Sequence, residues 1–260
     1  MSAFQGLEWT FDTVASAYDK MRPGYTENLY QTIFDYIPIN KSSNVIEVGI
    51  GGGQATLPIL KTGCDLTAVE YGEHFSKICK DKFKLYPNFS LITGKFQDID
   101  FKSDSYDLVF SASAFHWIPE ETGYRKVFSM LKSGGAFARF ANHPFQDKGN
   151  PKLCEEIQKL YAVYMNSSSP PVEYSREKAA ERADIAKKYG YEDICFKLFK
   201  STRTFSSKEY TGLLGTYSDH IALEAGKRIE FFSKIEHVID SLGGKITVYD
   251  TMDLQLARKP

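Results

Sequence analysis

The sequence predicts an α/β fold, an open sheet with helices between its strands. Three observations carry that prediction. Over residues 44–56, NVIEVGIGGGQAT, an apolar strand passes through a glycine turn into a helix start. A second apolar run, Asp65 to Glu70, ends on a carboxylate 21 residues after Gly49. Short apolar runs then alternate with stretches of helical spacing as far as Phe140. Strand, tight glycine turn and helix N-terminus are how such a sheet holds a nucleotide-like ligand.

Composition sets the bounds. A chain of 260 residues suits one large domain or two small ones. Hydrophobic residues make up 42%, enough for a sizeable core. The formal net charge of −1 offers no basic surplus for nucleic acid or an anionic membrane. No apolar run approaches the ~20 residues of a membrane helix, and residues 1–10 lack the pattern of a signal peptide. Cys64, Cys79, Cys154 and Cys195 form no C-x-x-C pair. They read as reduced thiols of a cytoplasmic protein, with no metal site expected.

Glycine spacing selects the ligand. The dinucleotide fingerprint needs a glycine or alanine at its sixth position, where Gly49 and Gly51 lead only to Gln54 and Thr56. A nicotinamide dehydrogenase is therefore disfavoured. The phosphate loop fails because no Lys follows the glycines. What fits is G-x-G-x-G, Gly49, Gly51 and Gly53, preceded by Glu47. This resembles motif I of the class I S-adenosylmethionine-dependent methyltransferases, in which the turn cradles the methionine part of the cofactor.

The rest of the chain follows in order. Residues 8–37 read as helical lid segments. The first has Phe11, Val14, Ala15 and Tyr18 at helical spacing, and Arg22-Pro23-Gly24 interrupts it. The run FDTVASAYDKMRPGY resembles the lid that precedes motif I in the same family. The resemblance implies that Tyr18 faces the active site and that Arg22 meets the cofactor carboxylate, a bidentate task suited to a guanidinium. Strand one is Val45–Val48. Its Glu47 needs a partner in an apolar strand, and the cofactor's ammonium or sulfonium would serve. A structural hydrogen bond to the turn is the alternative.

Strand two ends at Glu70, placed where nucleotide-binding α/β folds bond ribose hydroxyls. Tyr71 stands ready for an adenine face, and residues 73–85 read as helix. Strand three is Phe89–Thr93. Lys95 then occupies the motif III position, where the family usually has an acid. That leaves Gln97, Asp98 or the backbone around Phe96 to read the adenine edge. Strand four, Tyr106–Ser111, leads to Ala112-Ser-Ala-Phe-His-Trp-Ile118. This stretch resembles motif IV of the small-molecule branch that includes trans-aconitate methyltransferase-like proteins. It makes His116 the first candidate base and Trp117 and Ser111 candidate cofactor contacts. A helix over 121–132 is expected to end at Gly134-Gly135, before strand five at Ala136–Phe140. Leu131-Lys-Ser-Gly-Gly135 resembles the family's post-motif signature. Asn142 and His143 leave strand five on the ligand side.

Beyond residue 144 the strand pattern lapses. Asn150-Pro151 starts a helix, and Ser175 opens another that stops at Gly190. Ile194–Phe205 reads as strand six. Ser206 and Glu209 make a capping box for a helix bearing Tyr210, Leu213, Leu214 and Tyr217. A helix carrying Ile229 to Leu242 and a final strand or hairpin arm over Lys245–Arg258 follow.

Together the motifs imply a single methyltransferase domain over 1–260. The expected fold is a Rossmann-like, seven-stranded, mostly parallel sheet with helices on both faces and the last strand antiparallel. The cofactor core spans 41–143. A helical cap is expected at 144–189 and 206–243, presenting Tyr210 and Tyr217 to the acceptor. The expected reaction is methyl transfer from S-adenosylmethionine to an oxygen, nitrogen or carbon of a small molecule, a carboxylate among the open choices. Arg139 and Arg203 would suit such a carboxylate. His116, then Tyr18 and His143, are the candidate bases. Tyr18 and His116 also count as acceptor contacts. A methyltransferase acting on tRNA or protein, and a non-catalytic binding module, are the alternatives. Oligomeric state is not legible.

Overall fold

The computed structural model describes residue 18, residues 21–167 and residues 169–260. The helical reading of residues 8–17, with Phe11, Val14 and Ala15, lies outside the described residues.

Helix α1 spans Glu27–Tyr36 and buries Leu29, Tyr30 and Ile33 at helical spacing. It stops at Ile37, which is extended, as a residue before proline must be. Strands β1 (Asn44–Val48), β2 (Asp65–Glu70), β3 (Phe89–Thr93), β4 (Tyr106–Ala112) and β5 (Leu131–Phe145) pair in parallel. With β6 (Glu192–Ser206) and β7 (Lys245–Arg258) they form a seven-stranded sheet, ordered β3-β2-β1-β4-β5-β7-β6. The last strand is antiparallel to β5. Gly134 N–H donates to the Lys259 carbonyl at 2.8 Å, and Lys259 N–H returns a bond to the Gly135 carbonyl at 2.9 Å.

The connecting helices are α2 (Thr56–Leu60), α3 (Glu73–Phe83) and α4 (Glu120–Met130). Apolar side chains cover both faces of the sheet, as parallel strands require. Leu29, Ile59, Leu66, Leu108 and Phe110 belong to one buried cluster. Ile46, Val109, Val127, Met130 and Phe137 belong to another.

The chain divides into two compact units. One comprises residues 23–142, 175–199 and 252–260 and is here called the sheet unit. The other comprises residues 1–22, 143–174 and 200–251 and is here called the helical unit. The helical unit contains α5 (Pro151–Tyr164), α7 (Ser207–Leu214), α8 (Ser218–Ile221) and α9 (Ala225–Ser241). Leu153, Ile157, Leu214, Phe231, Ile235 and Ile239 make its core. Asn150 caps α5 through the Leu153 N–H, and Ser206 and Glu209 form the expected capping box on α7.

Several boundaries differ from the sequence reading, and two of the differences have a clear structural cause. The helix before strand five ends at Met130, and Leu131 already begins β5. Leu131 pairs with Tyr106, and the register then jumps to Leu108 opposite Ala136. Gly134, with φ +77°, sits in this irregularity and does not cap the helix. Second, α6 (Arg176–Asp184) and the 3₁₀ turn Ile185–Tyr189 group with the sheet unit, not with residues 144–174. Aromatic packing explains this. Tyr189 stacks on Tyr124 of α4 at 5.0 Å, and Tyr191 packs edge-on to Phe128 at 5.1 Å. Among the described residues, no helix is long and apolar enough to cross a membrane.

Candidate functional site

The glycine turn follows β1 at the C-terminal edge of the parallel strands, where open α/β sheets bind ligands. Gly49, Gly51 and Gly53 have φ of +74°, +53° and +76°, a region side chains rarely enter. Space enforces the choice at Gly49, where a β-carbon would meet Ala114 Cβ at 2.4 Å. The Val69 carbonyl accepts the Gly49 and Ile50 N–H groups at 2.9 and 3.1 Å. Main-chain bonds therefore fix the turn to β2.

Glu70 closes the turn. One carboxylate oxygen accepts the Gly51 N–H and the other the Gly72 N–H, each at 2.8 Å. Tyr71 beside it is 52% exposed, and Lys95 Nζ lies 5.5 Å from its ring centroid. Lys95 thus reaches the predicted adenine-stacking residue rather than replacing a carboxylate. The next 3₁₀ turn, Phe96–Asp98, buries the Phe96 side chain in the core. Lys126 of α4 holds this segment by donating to the Gln97 and Ile99 carbonyls.

Glu47 is fully buried in β1. Its Oε2 accepts from Thr56 Oγ1 at 2.8 Å, while Oε1 has no hydrogen-bond partner. Burial raises its pKa to about 8, the Thr56 bond opposes that shift, and the Glu70 charge adds to it. Gln54 Nε2 in the same turn is also buried without a partner. An acidic acceptor and an amide donor left unsatisfied beside positive-φ glycines fit an amino-acid moiety carrying both ammonium and carboxylate.

The loop after β4 completes this group. Ser113 adopts φ +55°, rare for serine, and its hydroxyl is 2.9 Å from the Tyr25 hydroxyl. His116 is exposed, with its ring 4.9 Å from the half-buried Trp117. Ser111 is fully buried and donates to the Val48 carbonyl at 2.8 Å, so its proton ties β4 to β1.

The predicted residues therefore fall into two groups. Glu47, Gly49, Gly51, Gly53, Glu70, Tyr71, Phe96, Gln97, Ser111, His116 and Trp117 belong to the sheet unit. Tyr18, Arg22, His143, Tyr210 and Tyr217 belong to the helical unit. There Arg22 donates from Nε to Thr216 Oγ1 and from Nη2 to the Thr216 carbonyl, at 3.0 and 2.8 Å. Its guanidinium lies 4.8 Å from the Tyr18 ring and 4.1 Å from the Tyr217 ring. His143 stacks on Tyr174 at 3.6 Å.

Sequence reasoning missed several supports. On α3, Cys79 Sγ donates to the Gly51 carbonyl at 3.0 Å, and Lys82 Nζ to the Gly52 carbonyl at 2.8 Å. Phe83 fills the space beside Gly53. These three share one helix face, so helical spacing was the available signal. Ser113 and Lys126 carried none. Among the described residues, no group of His, Cys, Asp or Glu is arranged to hold a metal ion.

Comparison with known proteins agrees with this geometry. A family profile described as a methyltransferase domain matches residues 46–138. An uncharacterized methyltransferase of Schizosaccharomyces pombe is 24% identical over 237 residues, covering 90% of this chain and 88% of that protein. An uncharacterized methyltransferase of Bacillus cytotoxicus is 31% identical over 180 residues, covering 66% of this chain and 82% of its own length. Haemonchus contortus phosphoethanolamine N-methyltransferase 2 was solved with phosphomonomethylethanolamine and S-adenosylhomocysteine. It superposes with a TM-score of 0.54 at 16% identity, over 96% of this chain and 57% of that one. With its motifs in order on this fold, the chain belongs to the class I S-adenosylmethionine-dependent methyltransferases.

Proposed function

We propose that this methyltransferase acts on a small-molecule acceptor, at an oxygen, nitrogen or carbon nucleophile. The observation that carries the cofactor half of this reading is the hold of Glu70 on both the Gly51 and Gly72 N–H groups. It fixes a carboxylate at the end of β2 where ribose hydroxyls are bonded in such folds. The small acceptor is supported by the absence of a basic surplus and by the small ligand in the Haemonchus relative.

S-adenosylmethionine supplies a methyl group already activated on a sulfonium. The work of the chain is to bind and align. Main-chain groups of Gly49–Gly53 receive the amino-acid end, with Glu47 beside its positive charge. Glu70 takes the ribose, and Tyr71 with the backbone around Phe96 and Gln97 takes the adenine. Trp117 walls the site, and Ser111 holds β4 in place. The resemblance also gives Arg22 to the cofactor carboxylate. Alignment of this kind supplies roughly 7–11 kcal/mol of barrier lowering.

A nucleophile that arrives protonated needs a base. His116 fits the role, being exposed on the loop after β4, with Tyr18 and His143 as further candidates. Tyr18, Tyr210 and Tyr217 are assigned to acceptor contact. The test is a methyl-transfer screen over small metabolites, with bulk tRNA and protein as competing acceptors, followed by His116→Ala. We expect turnover on a metabolite to fall about 10²–10⁴-fold with cofactor affinity unchanged. Transfer only to tRNA or protein would overturn the acceptor class. An unaltered rate would remove His116 from the mechanism.

A further inference from the structure

A buried phenol stands behind the glycine turn with no task in the cofactor chemistry so far. Tyr30, on α1, is 4% exposed, and its hydroxyl has no hydrogen-bond partner among the described residues. Glu47 Oε1 is in the same condition. Orphaned buried polar atoms are rare in folded proteins, and each calls for an explanation.

Packing brings these two residues to one place in the sheet unit. Tyr30, Val45, Phe110 and Phe140 belong to one buried cluster. Glu47 lies two residues beyond Val45 on β1, so its side chain leaves the same face of the sheet. Glu47 pairs with Phe110 across β1 and β4. Phe110 stacks on Phe140 with ring centroids 6.2 Å apart, and Phe140 meets Tyr30 edge-on at 6.4 Å. Burial raises the Tyr30 phenol well above its ordinary pKa, and the charges of Tyr25 and Glu47 add to that shift. The phenol therefore keeps its proton and stays a donor.

The other groups around Glu47 leave that donor's place open. Thr56 of α2 donates to Oε2. Phe110 is apolar, and Glu70, whose charge acts on Glu47, offers only acceptors. A neutral carboxyl needs fewer donors than a carboxylate. Ionisation of Glu47 thus creates a demand at Oε1 that Tyr30 can meet.

We propose that Tyr30 is a positioning residue of the cofactor site, its hydroxyl donating to Glu47 Oε1, directly or across one water, when Glu47 ionises beside the cofactor's ammonium. The place of the ammonium rests on the cofactor reading above; the pairing of Tyr30 with Glu47 does not. The phenol favours the charged form of Glu47 over the neutral one, and α1 joins the cofactor site through that bond.

Carbon-13 NMR of the glutamate carboxyls in the ligand-free full chain tests the pairing, with the Glu47 signal assigned by its loss in Glu47→Gln. Tyr30→Phe keeps the ring against Phe140 and removes only the hydroxyl. It should raise the Glu47 midpoint by about one pH unit, a tenfold change in its ionisation. Calorimetry with S-adenosylhomocysteine tests the consequence. Tyr30→Phe should weaken binding about tenfold at pH 6.5 but only about threefold at pH 8.5, where most of the native Glu47 is already ionised. In the Glu47→Gln background the same change should alter affinity less than about twofold. Were Tyr30→Phe to fail to fold, 3-fluorotyrosine at residue 30, a stronger donor, should lower the midpoint and tighten binding at pH 6.5. An unmoved midpoint would overturn the pairing. Weakening by one factor at both pH values would mark a packing effect and overturn the positioning role. Failure of S-adenosylhomocysteine to bind the native chain would instead count against the cofactor reading, and the midpoint would still judge the pairing.

Discussion

The sheet unit and the helical unit present their polar groups in different ways. In the sheet unit, the candidate site is made largely of main chain. Three glycines at positive φ, the Val69 carbonyl and the N–H groups of Gly51 and Gly72 define it. In the helical unit, the polar groups are mostly side chains: Arg22, Arg203, Asp250, Tyr217, His220 and Tyr161, with the Thr216 carbonyl accepting from Arg22. A backbone site is constrained by conformation and tolerates little variation in sequence. A side-chain site can be rebuilt without moving a strand. A shared cofactor suits the first, and acceptors that vary between relatives suit the second.

The largest effect that would test this contrast is at Gly49. Gly49→Ala forces a left-handed alanine, at about 1–2 kcal/mol, and drives a methyl into Ala114, at about 1–3 kcal/mol more. We expect Tm to fall by at least about 5 °C and cofactor affinity to drop by about 100-fold or more. A variant with unchanged Tm and affinity, by differential scanning fluorimetry and calorimetry, would break the claim that conformation defines the site.

A smaller effect comes from protons. Burial places the folded pKa of Glu47 at about 8, well above its ordinary value. The ligand-free chain therefore binds an extra proton between pH 4.5 and 8. The stability tied to that proton is present at low pH and lost as pH rises through 8. Cofactor binding has the opposite slope, because the ammonium favours the ionised carboxylate. Affinity should tighten by up to about tenfold per pH unit from pH 6 to 8. Close to one proton should be released per cofactor at pH 6.5, seen as a buffer-dependent heat. Glu47→Gln should abolish that release. A buffer-independent heat in the native chain would show that Glu47 does not face the ligand's positive charge.

The same contrast explains what was legible in the sequence. Strands β2 and β3 match their expected ends because each is a short, largely apolar run closed by turn residues, β2 mostly buried and β3 at the edge of the sheet. The capping box at Ser206 and Glu209 was readable because its spacing is local. The start of β5 was not, since pairing of Leu131 with Tyr106 overrides a glycine pair that resembles a helix cap. Within the candidate site, Gly49, Gly51, Gly53 and Glu70 were visible through their spacing. Ser113 was invisible, because nothing in its residue type announces φ +55°. Arg203 could be named as a possible carboxylate partner, but its pairing with Asp250 joins residues 47 apart and has no local signature. The division at residues 175–199 was missed for the same reason, since it depends on Tyr189 and Tyr191 packing against α4.

The most direct measurement is titration of the purified chain, freed of co-purified ligand, with S-adenosylmethionine and S-adenosylhomocysteine, in native and Glu70→Ala forms. The account predicts micromolar binding of both, near −8 kcal/mol, weakened at least about tenfold by the substitution, and no comparable binding of NAD. Absence of binding, or equal binding by Glu70→Ala, would contradict the assignment of the turn from Gly49 to Glu70 as the cofactor site.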